Sequence, residues 1–138
     1  SVNMLTYQAL NNKKITVFGG QQTRPNIHIK DIVNVYKHFL DNDIDSGFYN
    51  AGFENISILE IAKKIKSKID CEIVVSKSND PRSYRQDSSK LISTGFKQNF
   101  GIDNAIEDII KAYKAGKLKE TEQSYTVKWM KKLKLEKV

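Results

Sequence analysis

Ile15-Thr16-Val17-Phe18-Gly19-Gly20-Gln21-Gln22-Thr23-Arg24-Pro25-Asn26-Ile27-His28-Ile29-Lys30-Asp31 is the stretch that decides the fold. Its first four residues are β-branched or aromatic and stop at two glycines, which predicts a strand running into a turn. Residues 21–26 read as loop, with Pro25 holding the approach extended. Ile27-His28-Ile29 predicts a second short strand. Asp31 stands where a helix N-cap would, ahead of Ile32, Val33, Val35, Tyr36, Phe39 and Leu40 at helical spacing.

The same alternation continues on both sides. Residues 1–10 are mildly amphipathic and open without a cap, so they read as the end of a helix whose start lies upstream. Gly47-Phe48-Tyr49-Asn50-Ala51-Gly52 reads as a strand entering a glycine turn. Ser57-Ile58-Leu59-Glu60 is a capping box, in which serine accepts from the N3 amide and glutamate from the serine amide. Ile58, Ile61, Ala62, Ile65 and Ile69 then form one apolar stripe opposite a lysine-rich face. Glu72-Ile73-Val74-Val75 predicts another strand. A loop follows, containing Asp80-Pro81-Arg82-Ser83-Tyr84-Arg85, before a short helix capped by Asp87 and stopped near Gly95. Asp103 is the expected cap of the next helix, which turns Ile106, Ile109, Ile110 and Tyr113 inward and ends at Gly116. The final stretch places Tyr125, Trp129, Met130 and Leu133 on one side, with Lys128, Lys131, Lys132 and Lys134 around the rest. It predicts a solvated helix docked by its apolar face. Short strands alternating with helices define an α/β class, and four short strands suggest part of a sheet.

Composition narrows the function classes. The 138 residues are 39% hydrophobic and 28% charged, as in a globular domain. No apolar run reaches the ~18 residues of a membrane span. No basic segment followed by a long apolar core opens the chain, so no signal peptide is expected. A single cysteine, Cys71, fits a reducing, cytoplasmic setting. The net charge of +7 invites a nucleic-acid reading. From Lys111 onward, however, nine lysines and three glutamates supply +6, leaving +1 for residues 1–110. The body is nearly neutral, and its only arginines are Arg24, Arg82 and Arg85. Arginine's planar fork suits bidentate phosphate recognition. Alone, Arg24 and Arg82 each read as solvated loop residues. Together they suggest convergent phosphate ligands, provided the fold brings them near each other.

Several signals are set aside. His28 between two isoleucines reads as a histidine on the less buried face of a strand, and no histidine or cysteine spacing suits a metal. Tyr113-Lys114-Ala115-Gly116-Lys117 has a Tyr-x-x-x-Lys spacing, but Gly116 should end the helix before Lys117 and Tyr113 belongs to the inward stripe. No Gly-x-Gly-x-x-Gly, P-loop or Gly-x-Ser-x-Gly occurs. The residues therefore supply no complete catalytic set.

The order of these blocks resembles the C-terminal, substrate-binding half of the extended short-chain dehydrogenase/reductase family of sugar-nucleotide epimerases and dehydratases. The likeness runs from the strand and glycine turn at 15–20 through Arg24 and Asp31, then residues 48–52, the helix at 57–65, the Arg82 loop through Phe96, and the helix at 102–116. It covers residues 1–118 and leaves 119–138 as a basic tail. It implies a Rossmann-like fold with an incomplete sheet, whose glycine-rich NAD(P) fingerprint and Ser/Thr–Tyr–Lys set lie in an N-terminal half outside this sequence. NAD or NADP would be bound by that half, not by this chain. In the resembled mechanism a tyrosine base oxidises the sugar at C4, passing hydride to the cofactor. The ketone is then epimerised or dehydrated before hydride returns. Arg24 and Arg82 match the arginines that grip the nucleotide diphosphate. Val17 and Phe18 match positions lining the nucleobase pocket, through backbone groups and apolar contact. Gln22 and Tyr84 fall near the same ligand, whereas His28 and Asp31 take structural roles. Pro25-Asn26 stands where the family often has an aromatic and an acid, which leaves sugar specificity open. The implied partners are a nucleotide-diphosphate sugar and the N-terminal half, in the same chain or another, with a homodimer left open for the intact enzyme. Nucleic acid is not among them. The competing readings are a non-catalytic nucleotide-sugar-binding remnant and a small basic polyanion-binding protein.

Overall fold

The computed structural model describes residues 1–78 and 82–133; the loop positions Asp80 and Pro81 and the tail position Lys134 lie outside the described residues. The elements are α1 (Val2–Asn12), β1 (Lys14–Phe18), β2 (Thr23–Asn26), α2 (Ile29–Asp41), β3 (Glu54–Ser57), α3 (Ile58–Lys66), β4 (Glu72–Ser76), α4 (Ser89–Ile92), α5 (Ile102–Lys114) and α6 (Thr126–Lys132), with a single 3₁₀ turn at Glu122–Ser124. β1 and β4 pair in parallel, with Ile15 beside Ile73 and Val17 beside Val75. β2 and β3 form a separate antiparallel ribbon, with Arg24 opposite Ile56.

The core follows from the apolar periodicities. Alternation along β1 sends Ile15 and Val17 inward. They meet Leu5 and Ala9 of α1, Ile61, Ala62 and Ile65 of α3, and Ile102 and Ile106 of α5 in one cluster. α3 carries the capping box the sequence predicts: Glu60 N–H donates to Ser57 Oγ at 3.1 Å, and Ser57 N–H donates to Glu60 Oε2 at 2.8 Å. α5 ends as expected before Lys117. Gly116, at φ +66°, donates its N–H to Tyr113 O, and Lys117 donates to Ala112 O.

Five local expectations are corrected. Residues 23–26 are strand β2, not loop. The carbonyls of Gln22 and Asn26 accept from Ile58 and Phe53 on the β3 side, whereas Thr23 O accepts from Tyr84 on the other side. Pro25 belongs to Thr23's alternating set, so its missing N–H faces away from the β3 ladder. Ile27-His28-Ile29 is not a strand. His28 caps α2 instead, its Nδ1 accepting from Lys30 N–H at 3.1 Å. Asp31 is not the cap but lies inside the first turn, fully buried, and accepts the N–H groups of Asn99 and Phe100 at 3.2 and 2.8 Å. Residues 47–52 form no strand, and pairing begins only at Glu54. Asp103 does not cap α5. Glu54 Oε2 takes the Ile102 N–H at 2.5 Å, while Asp103 pairs with Lys64.

Two smaller differences complete the comparison. Asp87 still acts at the start of α4 by accepting from Ser89 N–H and Oγ–H, although Ser88 occupies the cap position. α6 forms, but none of its residues is buried. The tail's contact with the body runs instead through Tyr125, which lines a cavity of about 340 Å³ with Met4, Tyr7, Ile109 and Leu118.

Candidate functional site

β1 ends at Phe18 in a turn whose two glycines both have positive φ, +75° at Gly19 and +104° at Gly20. Glycine populates this region at little cost. Gln22 fills the turn: its Nε2 donates to Phe18 O at 2.7 Å and its Oε1 accepts from Gly20 N–H at 2.6 Å. The chain then enters β2 rather than a helix, and this places Arg24 on the ribbon.

The Arg82 loop lies along the free side of β2. Tyr84 N–H donates to Thr23 O at 3.0 Å, and Ser83 Oγ accepts from Thr23 N–H at 3.0 Å. Arg24 Nη1 donates to Thr23 O at 2.9 Å and to Arg82 O at 2.7 Å. Its guanidinium carbon sits 5.0 Å from the centre of the Tyr84 ring, within cation–π range. Farther along, Asn55 clasps Gln86 twice, Nδ2 donating to Gln86 O at 3.0 Å and Oδ1 accepting Gln86 N–H at 2.9 Å. Gly52 allows this close approach, since a Cβ there would stand 3.0 Å from Pro25 Cβ and 2.2 Å from Gln86 Oε1.

Five of the six residues singled out from sequence thus form two groups joined by the short step from Gln22 to Arg24. Arg24, Arg82 and Tyr84 meet across the β2 edge, with Arg82 and Tyr84 exposed and Arg24 half-buried. Phe18 and Gln22 meet at the glycine turn, where Phe18 is 62% exposed. Val17 is different: its side chain is fully buried in the core, so it can offer a ligand only backbone groups. Ser83 and Asn55, which fasten the loop, carried no sequence signal, because a serine or asparagine in a polar stretch reads the same with or without a distant partner. Among the described residues no group of three or more His, Cys, Asp or Glu side chains could hold a metal ion.

Solved structures with this architecture share a sheet-and-helix framework, which places the chain in the extended short-chain dehydrogenase/reductase fold. The UDP-N-acetylglucosamine 4-epimerase of Bacillus cereus superposes with a TM-score of 0.71 at 21% identity, over 87% of this chain and 41% of that one. The ADP-L-glycero-D-manno-heptose-6-epimerase of Helicobacter pylori gives 0.66 at 20%, over 80% and 36%. A GDP-mannoheptose C4 reductase from Campylobacter jejuni, with NADP bound, gives 0.59 at 26%, over 75% and 33%. The chain therefore spans about a third to two-fifths of the length of these structures. No protein-family model matches it.

Proposed function

We propose that this chain is the nucleotide-sugar-binding portion of an NAD(P)-dependent sugar-nucleotide epimerase or dehydratase. The observation that carries the reading is the convergence of Arg24 with the Arg82 loop, on a fold whose solved examples act on nucleotide sugars. A diphosphate carries about two negative charges, and charge-assisted bonds from a fixed guanidinium are the strong kind. Arg24 is held before any ligand arrives by two carbonyls and the Tyr84 ring. Less ordering entropy is then lost on binding. Arg82 is carried by the loop those contacts position. The binding energy gathered there is remote from the reacting sugar carbon, where it serves to position the substrate.

The residues present do not fit a dinucleotide cofactor. The one glycine turn after a strand is occupied by the Gln22 side chain and leads into β2, not to a helix N-terminus that could take a pyrophosphate. NAD or NADP is then the business of the remainder of a longer enzyme, and no step of the reaction is assigned to this chain.

A surface for that remainder is present. Ile29, Val33, Tyr36 and Leu40 run along one side of α2 at 60–85% exposure. Exposed apolar groups this contiguous mark an interface. The direct test is calorimetry on the chain joined to its cofactor-binding half. UDP-N-acetylglucosamine or GDP-mannose should bind at least about tenfold more tightly than the matching nucleoside monophosphate, and equal affinities would overturn the diphosphate reading.

A further inference from the structure

The glycine turn after β1 holds a planar group that the chain itself supplies. The Gln22 carboxamide lies across Gly19: its Nε2 and its Oε1 each stand 3.1 Å from where a Cβ on Gly19 would be. Nε2 donates to Phe18 O at 2.7 Å, and Oε1 accepts from Gly20 N–H at 2.6 Å. The same two backbone groups also reach each other, Gly20 N–H to Phe18 O at 3.0 Å. Lys13 O and Gly19 N–H bond to β4, so odd-numbered residues serve that ladder and the backbone groups of Phe18 face the other edge of β1. Phe18's ring is 62% exposed. On the same face, its ladder neighbour Ser76 has a buried hydroxyl with no hydrogen-bond partner among the described residues.

A carboxamide sets a C=O beside an N–H. The lactam edge of uracil, thymine or guanine offers the same pair, a ring N–H next to an exocyclic carbonyl. Adenine and cytosine reverse it, with a ring acceptor next to an exocyclic amine. Set on Phe18 O and Gly20 N–H, a lactam places its ring at the Phe18 end, and an adenine or cytosine places it at the Gly20 end. Only the first of these residues carries an aromatic side chain on which a base can stack. Resting on the nucleotide-sugar reading above, we infer that Gln22 is an internal stand-in for the nucleobase. Its amide occupies the base-reading pair, Phe18 O and Gly20 N–H, until a lactam-edged base displaces it. Gln22 thereby tunes affinity, because the apparent binding constant is reduced by the fraction of molecules in which the amide has swung away. A brace for the turn would act with the opposite sign: removing a brace weakens binding, and removing a stand-in tightens it.

The chain joined to its cofactor-binding half is titrated by calorimetry with UDP, CDP and inorganic pyrophosphate, as the parent and as Q22A and Q22M. Both substitutions delete the amide, and methionine keeps the side chain's length. UDP should bind at least about threefold more tightly to both variants than to the parent. Pyrophosphate, which has no base, should stay within about twofold of the parent, and CDP should gain less than UDP. In the unsubstituted protein, nuclear magnetic resonance should show the Gly20 amide and the Gln22 side-chain NH₂ signals shifting with UDP but not with pyrophosphate. That readout holds even where a variant fails to fold. UDP affinity unchanged or lowered in both variants, or Gln22 signals unmoved at saturating UDP, overturns the inference and leaves Gln22 as a brace. So does a gain for CDP or pyrophosphate as large as that for UDP. A parent protein that binds neither UDP nor pyrophosphate overturns the diphosphate reading itself, and this inference with it.

Discussion

Arg24 Nη1 donates to the Arg82 carbonyl oxygen at 2.7 Å, joining positions 58 residues apart. This bond makes one place of two arginines that the sequence suggests as convergent ligands but cannot itself bring together. Two further bonds at Thr23 support it: Thr23 O accepts from Tyr84 N–H and Thr23 N–H donates to Ser83 Oγ, so the Arg82 loop is fastened to the free edge of β2. Tyr84→Ala should remove the platform beneath the guanidinium and lower nucleotide-sugar affinity by a few-fold, at roughly 1 kcal/mol. Tyr84→Phe, which keeps the ring, should bind like the parent. Titration calorimetry of the two variants side by side measures the difference.

Asp31 is the other long-range anchor. Its carboxylate, fully buried, accepts from Asn34 Nδ2 and from the backbone of Asn99 and Phe100, tying the start of α2 to the segment before α5. Asp31→Ala would leave those buried donors without an acceptor and should cost about 3 kcal/mol. Asp31→Asn, which keeps one acceptor oxygen, should cost less. Urea unfolding of both variants gives the comparison.

These two anchors show where the sequence was legible. α3 could be read in full, because its capping box and its isoleucine stripe are local. β1, β4 and the end of α5 were readable for the same reason. β2 was not, since a four-residue strand containing proline exists only because residues 54–57 pair with it and the Arg82 loop flanks it. Asp31 has the right identity for a cap, yet His28 sits three residues earlier in extended backbone and takes the role. That leaves the aspartate for a contact 68 to 69 residues away. For the candidate site, the sequence supplied the residues and the resemblance supplied their roles. Their proximity depended on Ser83, Asn55 and Gly52, none of which stands out in a linear reading.

Acid should weaken the fold through three carboxylates. Glu60 is held below its ordinary 4.5 by the Ser57 N–H and hydroxyl. Asp87 is held below 3.8 by the Ser89 hydroxyl and N–H, and Asp108 below 3.8 by the Lys30 ammonium. Each value is lower folded than unfolded, so the unfolded chain binds more protons in acid. The stability these groups contribute is complete above about pH 5 and is lost as the pH falls through their ordinary values and below. Lys68 works in the opposite sense: hydrogen bonding to Glu107 raises it above 10.5, so its contribution is present below that value and is lost in stronger alkali. Chemical unfolding followed across pH should show the acid loss, and Ser57→Ala should shrink the part owed to Glu60.

Cys71 is 7% exposed, and burial pushes its thiol up from an ordinary value of 9.0. Less thiolate and restricted access both slow its chemistry. Labelling with a thiol-reactive disulfide near pH 8 should run at least about tenfold slower in the folded chain than in denaturant. Equal rates would mean that the β4 entrance opens readily.

The tail and the proposed ligand site are separate. The tail's cavity is lined by α1 and α5 residues together with residues of its own, none of them a candidate ligand residue. Removing residues 119–138 should therefore leave nucleotide-sugar affinity within about twofold of the parent, by the usual additivity of distant sites. Calorimetry of the shortened protein checks this.

The most direct measurement of the central claim is nucleotide-sugar binding by Arg24→Ala and Arg82→Ala in the assembled enzyme, read by titration calorimetry. On the proposed reading each substitution would remove a charge-assisted contact to the diphosphate, so each should weaken binding by about tenfold or more, while the unliganded protein keeps a cooperative melt. Parent-like affinity in both variants would contradict the account.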